Sequence, residues 1–199
     1  MANIVKKIAY LLSTSLYLLG LSQIAYSSEQ IILSSDKIDL LQNADIYEDT
    51  SGSKSAVEVM ALNNFKSFRD NGKHTFGFTK SAIWFKVTLK NQSNSSNFNI
   101  ASERTGHREF VIYDITDGPP KVVTTTGLKT HIKDRPYHSR LFYGEVELSN
   151  QSNSSFLIKV TSDMTIASNL YLMGERERAR LEQKLESTHF FYFGAMGIL

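Results

Sequence analysis

The chain has 199 residues, 41% of them hydrophobic and 21% charged, enough for one globular domain with a proper core and too few for two large ones. It contains no cysteine, which excludes disulfides, thiol catalysis, thiolate metal sites and lipid attachment at a cysteine. The net charge is +2, but Lys6 and Lys7 are the only charged residues before Ser28; without that segment the chain is neutral and lacks the broad positive field of a nucleic-acid binder, so no nucleic-acid partner is expected.

The N-terminus has the three-part pattern of a secretory signal: Lys6 and Lys7, an apolar run from Ile8 to about Ala25, then small residues. Cleavage after Ser27 places Ala25 and Ser27 at the small-residue positions, giving a signal peptide over 1–27; the alternative is an uncleaved anchor, which the diluting Ser13, Thr14, Ser15, Ser22 and Gln23 disfavour. Asp45 to Phe68 then reads as a turn followed by a short helix carrying Ala56, Val57, Val59, Met60 and Leu62. Ser53 or Ser55 can cap that helix, and Glu58 completes a capping box with Ser55.

From there apolar residues recur with period two in short runs separated by Asn, Ser, Gly and Pro clusters, which predicts an all-β sandwich over 28–174. In the clearest run Ile83, Phe85, Val87 and Leu89 share one face, with Trp84, Lys86 and Thr88 on the other. Further strands are expected at Phe98–Ala101, Glu109–Tyr113, Val122–Thr126, Leu141–Leu148, Phe156–Thr161 and Asn169–Met173. The hexapeptide NQSNSS occurs at 91–96 and again at 150–155, each time after an alternating run. Both copies read as strand-to-strand turns rather than as marks of an internal repeat.

The stretch Glu175 to Glu186 mixes both charge signs at helical spacing and predicts a self-stabilised juxtamembrane stalk helix over 175–188, with Leu181 and Leu185 as a thin apolar seam. Residues 189–199 contain no Asp, Glu, Lys or Arg. As a helix they would cover about half of a ~30 Å hydrocarbon core, so they read as the start of a membrane helix, rich in interfacial aromatics, or as a tail packed on the domain.

Candidate chemistry is sparse. The five histidines, His74, His107, His131, His138 and His189, show no metalloprotease spacing, and most read as surface or loop residues; no metal, cofactor or enzymatic activity is expected. Asp114 and Asp117 fall in a Gly-Pro-Pro turn. Trp84, the only tryptophan, is either a stacking platform for a sugar ring or a residue packed beneath a covering loop or the short helix. The segment Lys129 to Arg140 gathers Arg135, Tyr137, His138 and Arg140 with two lysines. It could grip a carboxylate, phosphate or acidic sugar, or serve as a solvated connection or a docking surface for a membrane part.

Several motifs then coincide in order: YEDTSGSKSAVEVM, GFTKSAIWFKVTLKNQS with its Ile83-Trp84-Phe85 centre, TGLKTHIKDRPYHSR with Arg135-Pro136, FLIKVTS, and a charged helix running into FFYFGAMGIL. Together, over Ile46 to Leu199, they resemble the type 2 extracellular domain of the seven-transmembrane receptors with diverse intracellular signalling modules, the 7TMR-DISM family. The resemblance implies a jelly-roll-like β-sandwich similar to carbohydrate-binding modules, facing the periplasm at the outer face of the bacterial inner membrane. It further implies sensing of a small-molecule ligand such as a carbohydrate, and attachment to the membrane through the C-terminal segment. The chain departs from the family by stopping within the expected first membrane helix, with no cytoplasmic output domain. The expected role is therefore the sensor part of such a receptor as an N-terminal fragment, or a free-standing or tethered exported carbohydrate-binding module without signalling.

Overall fold

The computed structural model describes residues 31–33, 37–62, 64–71, 75–167 and 169–196; the expected signal peptide lies outside them, and so do the side chains of 189–199. The period-two pattern is realised as a two-layer β-sandwich followed by a C-terminal helix. The larger sheet contains β3 (Asp45–Asp49), β4 (Lys66–Ser67), β6 (Ala82–Asn91), β8 (His107–Asp114), β9 (Lys121–Thr126) and β11 (Asn153–Ser162), in the order β4-β3-β6-β11-β8-β9. A short β1 (Ile31–Leu33) runs parallel to the end of β6, along the edge whose other half pairs with β3. The smaller sheet has the order β10-β7-β13-β2, formed by Phe142–Glu147, Asn97–Ser102, Leu170–Gly174 and Lys37–Asp39. A separate ribbon pairs β5 (Thr75–Phe78) with β12 (Thr165–Ala167).

Alternation decides what enters the core. Ile83, Phe85, Val87 and Leu89 of β6, Phe110 and Ile112 of β8, and Phe156, Ile158 and Val160 of β11 meet Phe98 and Ile100 of β7, Phe142 and Val146 of β10, and Leu170 and Leu172 of β13. At Gly144 the two layers approach so closely that an added Cβ would lie 2.3 Å from Ile112 Cδ1 and 3.0 Å from Thr124 Cβ. All seven strands expected from periodicity are present, with small shifts at their ends. β3 was not expected. It occupies the first part of the stretch read as turn and helix, because its pairing with β6 outweighs the strand-poor sequence DIYED.

The short helix α1 (Ala56–Met60) does form, capped by Ser55 in a full capping box: Ser55 Oγ accepts the Glu58 N–H at 3.3 Å, and Glu58 Oε2 accepts the Ser55 N–H at 2.7 Å. It covers the outer face of the larger sheet, where Trp84 is fully buried with Ala56, Val59, Ala82, Ile115 and Leu157, and with Tyr47 and Tyr113 packed alongside. A four-residue helix, α2 (Phe68–Asn71), delivers Phe68 to the main core.

The two NQSNSS copies are turns at the same end of the sandwich, and they bind each other. The Gln151 N–H donates to Asn91 O at 2.8 Å, the Asn91 N–H to Ser152 O at 3.3 Å, and the Leu148 N–H to Ser96 O at 2.8 Å. Asn91 itself is 1% exposed and donates its side-chain amide to Leu148 O and Ser95 O. The first copy leads from the larger sheet to the smaller and the second leads back, so one stretch of turn chemistry serves two adjacent crossings.

His107 departs from the surface role expected of most histidines. It is 3% exposed, stacks near Phe110 and Phe142, and its Nε2 lies 2.7 Å from Ser102 Oγ. Burial, aided by the charge of Arg104, pushes its pKa from 6.5 down to about 4.

Two outcomes follow from this packing. Trp84→Ala should cost about 3–5 kcal/mol in chemical denaturation, the loss typical of a buried aromatic; a cost below about 1 kcal/mol would show that α1 does not cover it. His107 is neutral when folded and protonates below about pH 6.5 when unfolded, so the unfolded state holds the extra proton between about pH 6.5 and 4. Stability should fall as pH drops through that window by up to about 3 kcal/mol, and a His107→Leu variant should flatten this part of the profile.

Candidate functional site

Antiparallel pairing fixes which turns can meet. The starts of β6 and β8 and the ends of β3, β9 and β11 all lie at one end of the larger sheet, since Asp49 pairs with Ala82, Val160 with Ile83, Thr161 with Glu109 and Thr126 with Phe110. A cleft of about 650 Å³ opens there, lined by Gly52, Phe78, Thr79, Lys80, Arg108, Glu109, Lys129, Thr161, Ser162 and Asp163. Phe78 stands at 84% exposure, a free aromatic ring beside polar walls.

Two glycines hold this end tight. Gly52 has φ +66°, and a Cβ on it would lie 2.6 Å from Lys80 O, so the turn after β3 presses on the turn before β6. Gly127 has φ +125°, and a Cβ there would lie 2.6 Å from Arg108 O. The neighbouring Leu128 and Lys129 N–H groups donate to His107 O at 2.9 Å and Arg108 O at 3.1 Å. Four of the cleft's charged side chains are ion-paired: Lys129 Nζ lies 2.6 Å from the Glu109 carboxylate, which Lys159 Nζ also approaches to 3.5 Å, and Arg108 lies 3.1 Å from Asp163. The hydrogen bond from Lys129, outweighing partial burial and aided by Lys159, holds the Glu109 carboxyl below its usual range.

Lys129 also begins the segment 127–141 that carries the chain from the larger sheet to the smaller. Arg135 is half-buried and turned inward: its Nε donates to Thr130 O at 3.2 Å, its Nη1 to Ser139 O at 3.4 Å, and its guanidinium lies over Phe142 at 5.2 Å. The segment thus braces itself with Arg135, the arginine that the sequence offers for gripping an anion. Tyr137 donates its hydroxyl to Glu145 at 2.6 Å and presents its ring to Arg178, 3.9 Å away. Burial and the bond to Glu145 push its pKa up to about 12. His138 and Arg140 are exposed.

The expected stalk is not free in solvent. α3 (Glu175–Met196) turns back from β13 and packs on the outer face of the smaller sheet, where Leu181 and Leu185 join Ala101, Leu141, Tyr143 and Met173. Glu182 Oε1 accepts from both Tyr143 at 2.6 Å and Ser139 at 2.7 Å. Burial and the bond to Glu182 keep the Tyr143 phenol protonated well above its usual range. Arg178, paired with Glu175, sits over the rings of Tyr137 and Tyr143. The apolar seam therefore docks on the helix's own domain and is not available for a partner helix. A smaller hollow of about 240 Å³ remains between His138, Ser139, Arg140 and the helix residues Glu182, Leu185 and Glu186.

The structure thus brings Arg135, Tyr137, His138 and Arg140 together on the segment that meets α3. Trp84 lies away from them, beneath α1 on the outer face of the other sheet. The cleft residues Phe78, Lys80, Arg108 and Asp163 escaped the sequence reading because they come from three separate stretches of chain that only strand pairing joins. Among the described residues no cluster of three or more His, Asp or Glu could hold a metal ion, and no helix is long and apolar enough to cross a membrane.

Residues 41–174 match the family described as 7TMR-DISM extracellular 2. That match spans most of the chain, and the chain belongs to this family of receptor extracellular domains, which implies an outward-facing location. No curated protein matches the chain.

Glu182→Ala removes the acceptor for two inward-facing hydroxyls and should cost about 1–3 kcal/mol. Amide exchange over Arg178 to Glu186 should accelerate at least tenfold while β6 keeps its protection. Unchanged exchange in the helix would show that apolar docking alone holds it.

Proposed function

We propose that this member of the 7TMR-DISM extracellular 2 family is a periplasmic sensor domain. In this reading the cleft at the end of the larger sheet takes a small polyhydroxylated ligand, such as a carbohydrate, and α3 reports its occupancy to the membrane. The observation that carries this is the shared position of Lys129, which lines the cleft and opens the braced segment whose Tyr137 and Ser139 clasp α3. Sugars offer apolar C–H faces to aromatic rings and hydroxyls to charged side chains. An exposed Phe78 beside Lys80, Arg108, Lys129 and Asp163 supplies both. Binding, rather than a chemical step, is the activity.

Strand order supports the jelly-roll form of this reading. After β6 in the larger sheet the chain passes to β7 in the smaller, back to β8 and β9, across to β10, back to β11 and across to β13, the repeated crossing that two wrapped Greek keys produce. Within the proposal Arg135, Tyr137, His138 and Arg140 serve the link between cleft and helix, and Trp84 supports the wall behind it. The other reading, an exported carbohydrate-binding module without signalling, shares the cleft but gives α3 no reporting role.

The test is a thermal-shift screen of neutral and acidic sugars, since a ligand that binds only the folded state raises the melting temperature. Phe78→Ala and Lys129→Ala should each weaken the ligand found by roughly tenfold, about 1.4 kcal/mol, with the unliganded melting temperature nearly unchanged for the exposed Phe78. A ligand whose affinity ignores both changes binds elsewhere. Ligand-dependent protection of α3 in amide exchange selects the sensor over the plain module.

A further inference from the structure

We propose that the cleft-bearing end of the sandwich rests on the membrane surface and contacts anionic phospholipid headgroups through its loops. This rests on the chain's membership of a membrane-receptor family and on the direction of α3, not on the identity of the cleft's ligand.

The direction of α3 is fixed by its contacts. Glu175 bonds to Asn99, which pairs with Met173 near the end of β13, whereas Glu182, Leu185 and Glu186 lie beside His138, Ser139 and Arg140 at the start of β10. The helix therefore climbs from the NQSNSS end toward the cleft end and remains helical through Met196. Glu186 is the last of the charged residues, and the segment read as the start of a membrane helix begins at His189, three residues on. Three residues of helix rise about 4.5 Å, less than the ~5–7 Å headgroup layer on each side of the hydrocarbon. If the apolar stretch enters a bilayer, this end of the sandwich has no room to stand clear of it.

The surface of that end suits the contact on two independent counts. Among the described residues, four of the seven exposed large apolar side chains lie there: Phe78 at 84%, Met164 at 57%, Leu128 at 56% and Ile132 at 49% exposure. Phe78 pairs with Thr165, Met164 packs near Gly106, and the Leu128 N–H bonds to His107 O, which places three of them around one rim. Charge is divided between the two ends. The loops 50–55, 79–81, 103–106, 127–141 and 163–164 at the cleft end carry seven Lys or Arg against three Asp or Glu. The loops 92–96, 115–120 and 148–152 at the other end carry no Lys or Arg and the single acid Asp117. Basic residues interspersed with single apolar side chains are what a headgroup layer accepts, the first drawn by lipid phosphates and the second inserting at the boundary.

The absence of cysteine makes the test direct, because one introduced cysteine is one label. Leu128→Cys, Ile132→Cys and, as the opposite-end control, Val122→Cys would carry an environment-sensitive fluorophore in the full chain. The chain would be reconstituted into phosphatidylcholine vesicles with or without phosphatidylglycerol, each variant checked for unchanged melting. The expected result is a blue shift and several-fold quenching by headgroup-labelled lipid at 128 and 132 but not at 122, weakened when phosphatidylglycerol is omitted or salt is raised. Equal behaviour of the probes at both ends, quenching confined to 122, or failure of the full chain to associate with vesicles would each overturn the proposal. Ligand binding by the cleft is measured separately in the absence of vesicles, so failure of the lipid contact and failure of the ligand reading are distinguishable.

Discussion

Burial of β6 on both of its faces is the constraint from which the rest of the molecule follows. Its inward side chains, Ile83, Phe85, Val87 and Leu89, build the space between the sheets, while Trp84 on the outward side has no exposed surface at all. A strand with one face on the core can leave the other in water, but an indole there exposes too much apolar surface to be left uncovered. The chain answers with α1, held in place by the Ser55 capping box and by the Asp49 carboxylate. Although partly buried, that carboxylate takes the Ser51 N–H and hydroxyl and the Lys54 N–H, and these bonds hold its pKa below the usual range. The same turn, through Gly52, forms one wall of the cleft. Covering the tryptophan and shaping the site are thus one piece of local structure.

The sequence was most legible where apolar residues recur at every second position along a run. β6, β8, β10 and β11 could be placed within a few residues because Ile83, Phe85, Val87 and Leu89, Phe110 and Ile112, Phe142 and Val146, and Phe156, Ile158 and Val160 each keep to one face. β3, β5 and β12 were illegible for the opposite reason. They are short and mixed in pattern, and they hold their places by pairing with partners distant in sequence: Asp45–Asp49 with Ala82–Lys86, and Thr165–Ala167 with Thr75–Phe78. Periodicity also names a face without saying what covers it. It correctly turned Trp84 outward, and only the helix sitting there makes that outward position a buried one.

The same limit governed the site. Lys129 to Arg140 reads equally as a grip for an anion, a solvated connection or a docking surface, and two facts remote in sequence bear on which it is. α3 folds back on the smaller sheet and brings Arg178 and Glu182 to Tyr137, Tyr143 and Ser139 from about 40 residues away. Arg135 spends its donors on the segment's own carbonyls. The helix was readable as a helix because its charges repeat at i, i+3 and i, i+4; the docking surface beneath Leu181 and Leu185 belongs to another part of the chain and left no local mark.

These contacts limit how occupancy of the cleft could reach the helix. Backbone bonds tie Leu128 and Lys129 to His107 and Arg108, and Gly127 is pressed on Arg108, so the first residues of the connecting segment cannot act as a loose hinge. From Thr130 to Ser139 the Arg135 guanidinium binds the segment to itself, making it a unit that moves whole if it moves. A ligand shifts such a unit only if it interacts differently with its two positions. The contact able to supply that difference is the Lys129–Glu109 pair, which belongs to the cleft wall and the segment together. A ligand hydroxyl or carboxylate that claims the Lys129 ammonium would free Glu109 to turn wholly to Lys159 and change the pull at one end of a strut whose other end is fixed to Glu182. In the proposed sensor reading, a motion delivered to α3 under this constraint would be a small sliding of packed elements, the shear type of change, rather than the swing of a hinge.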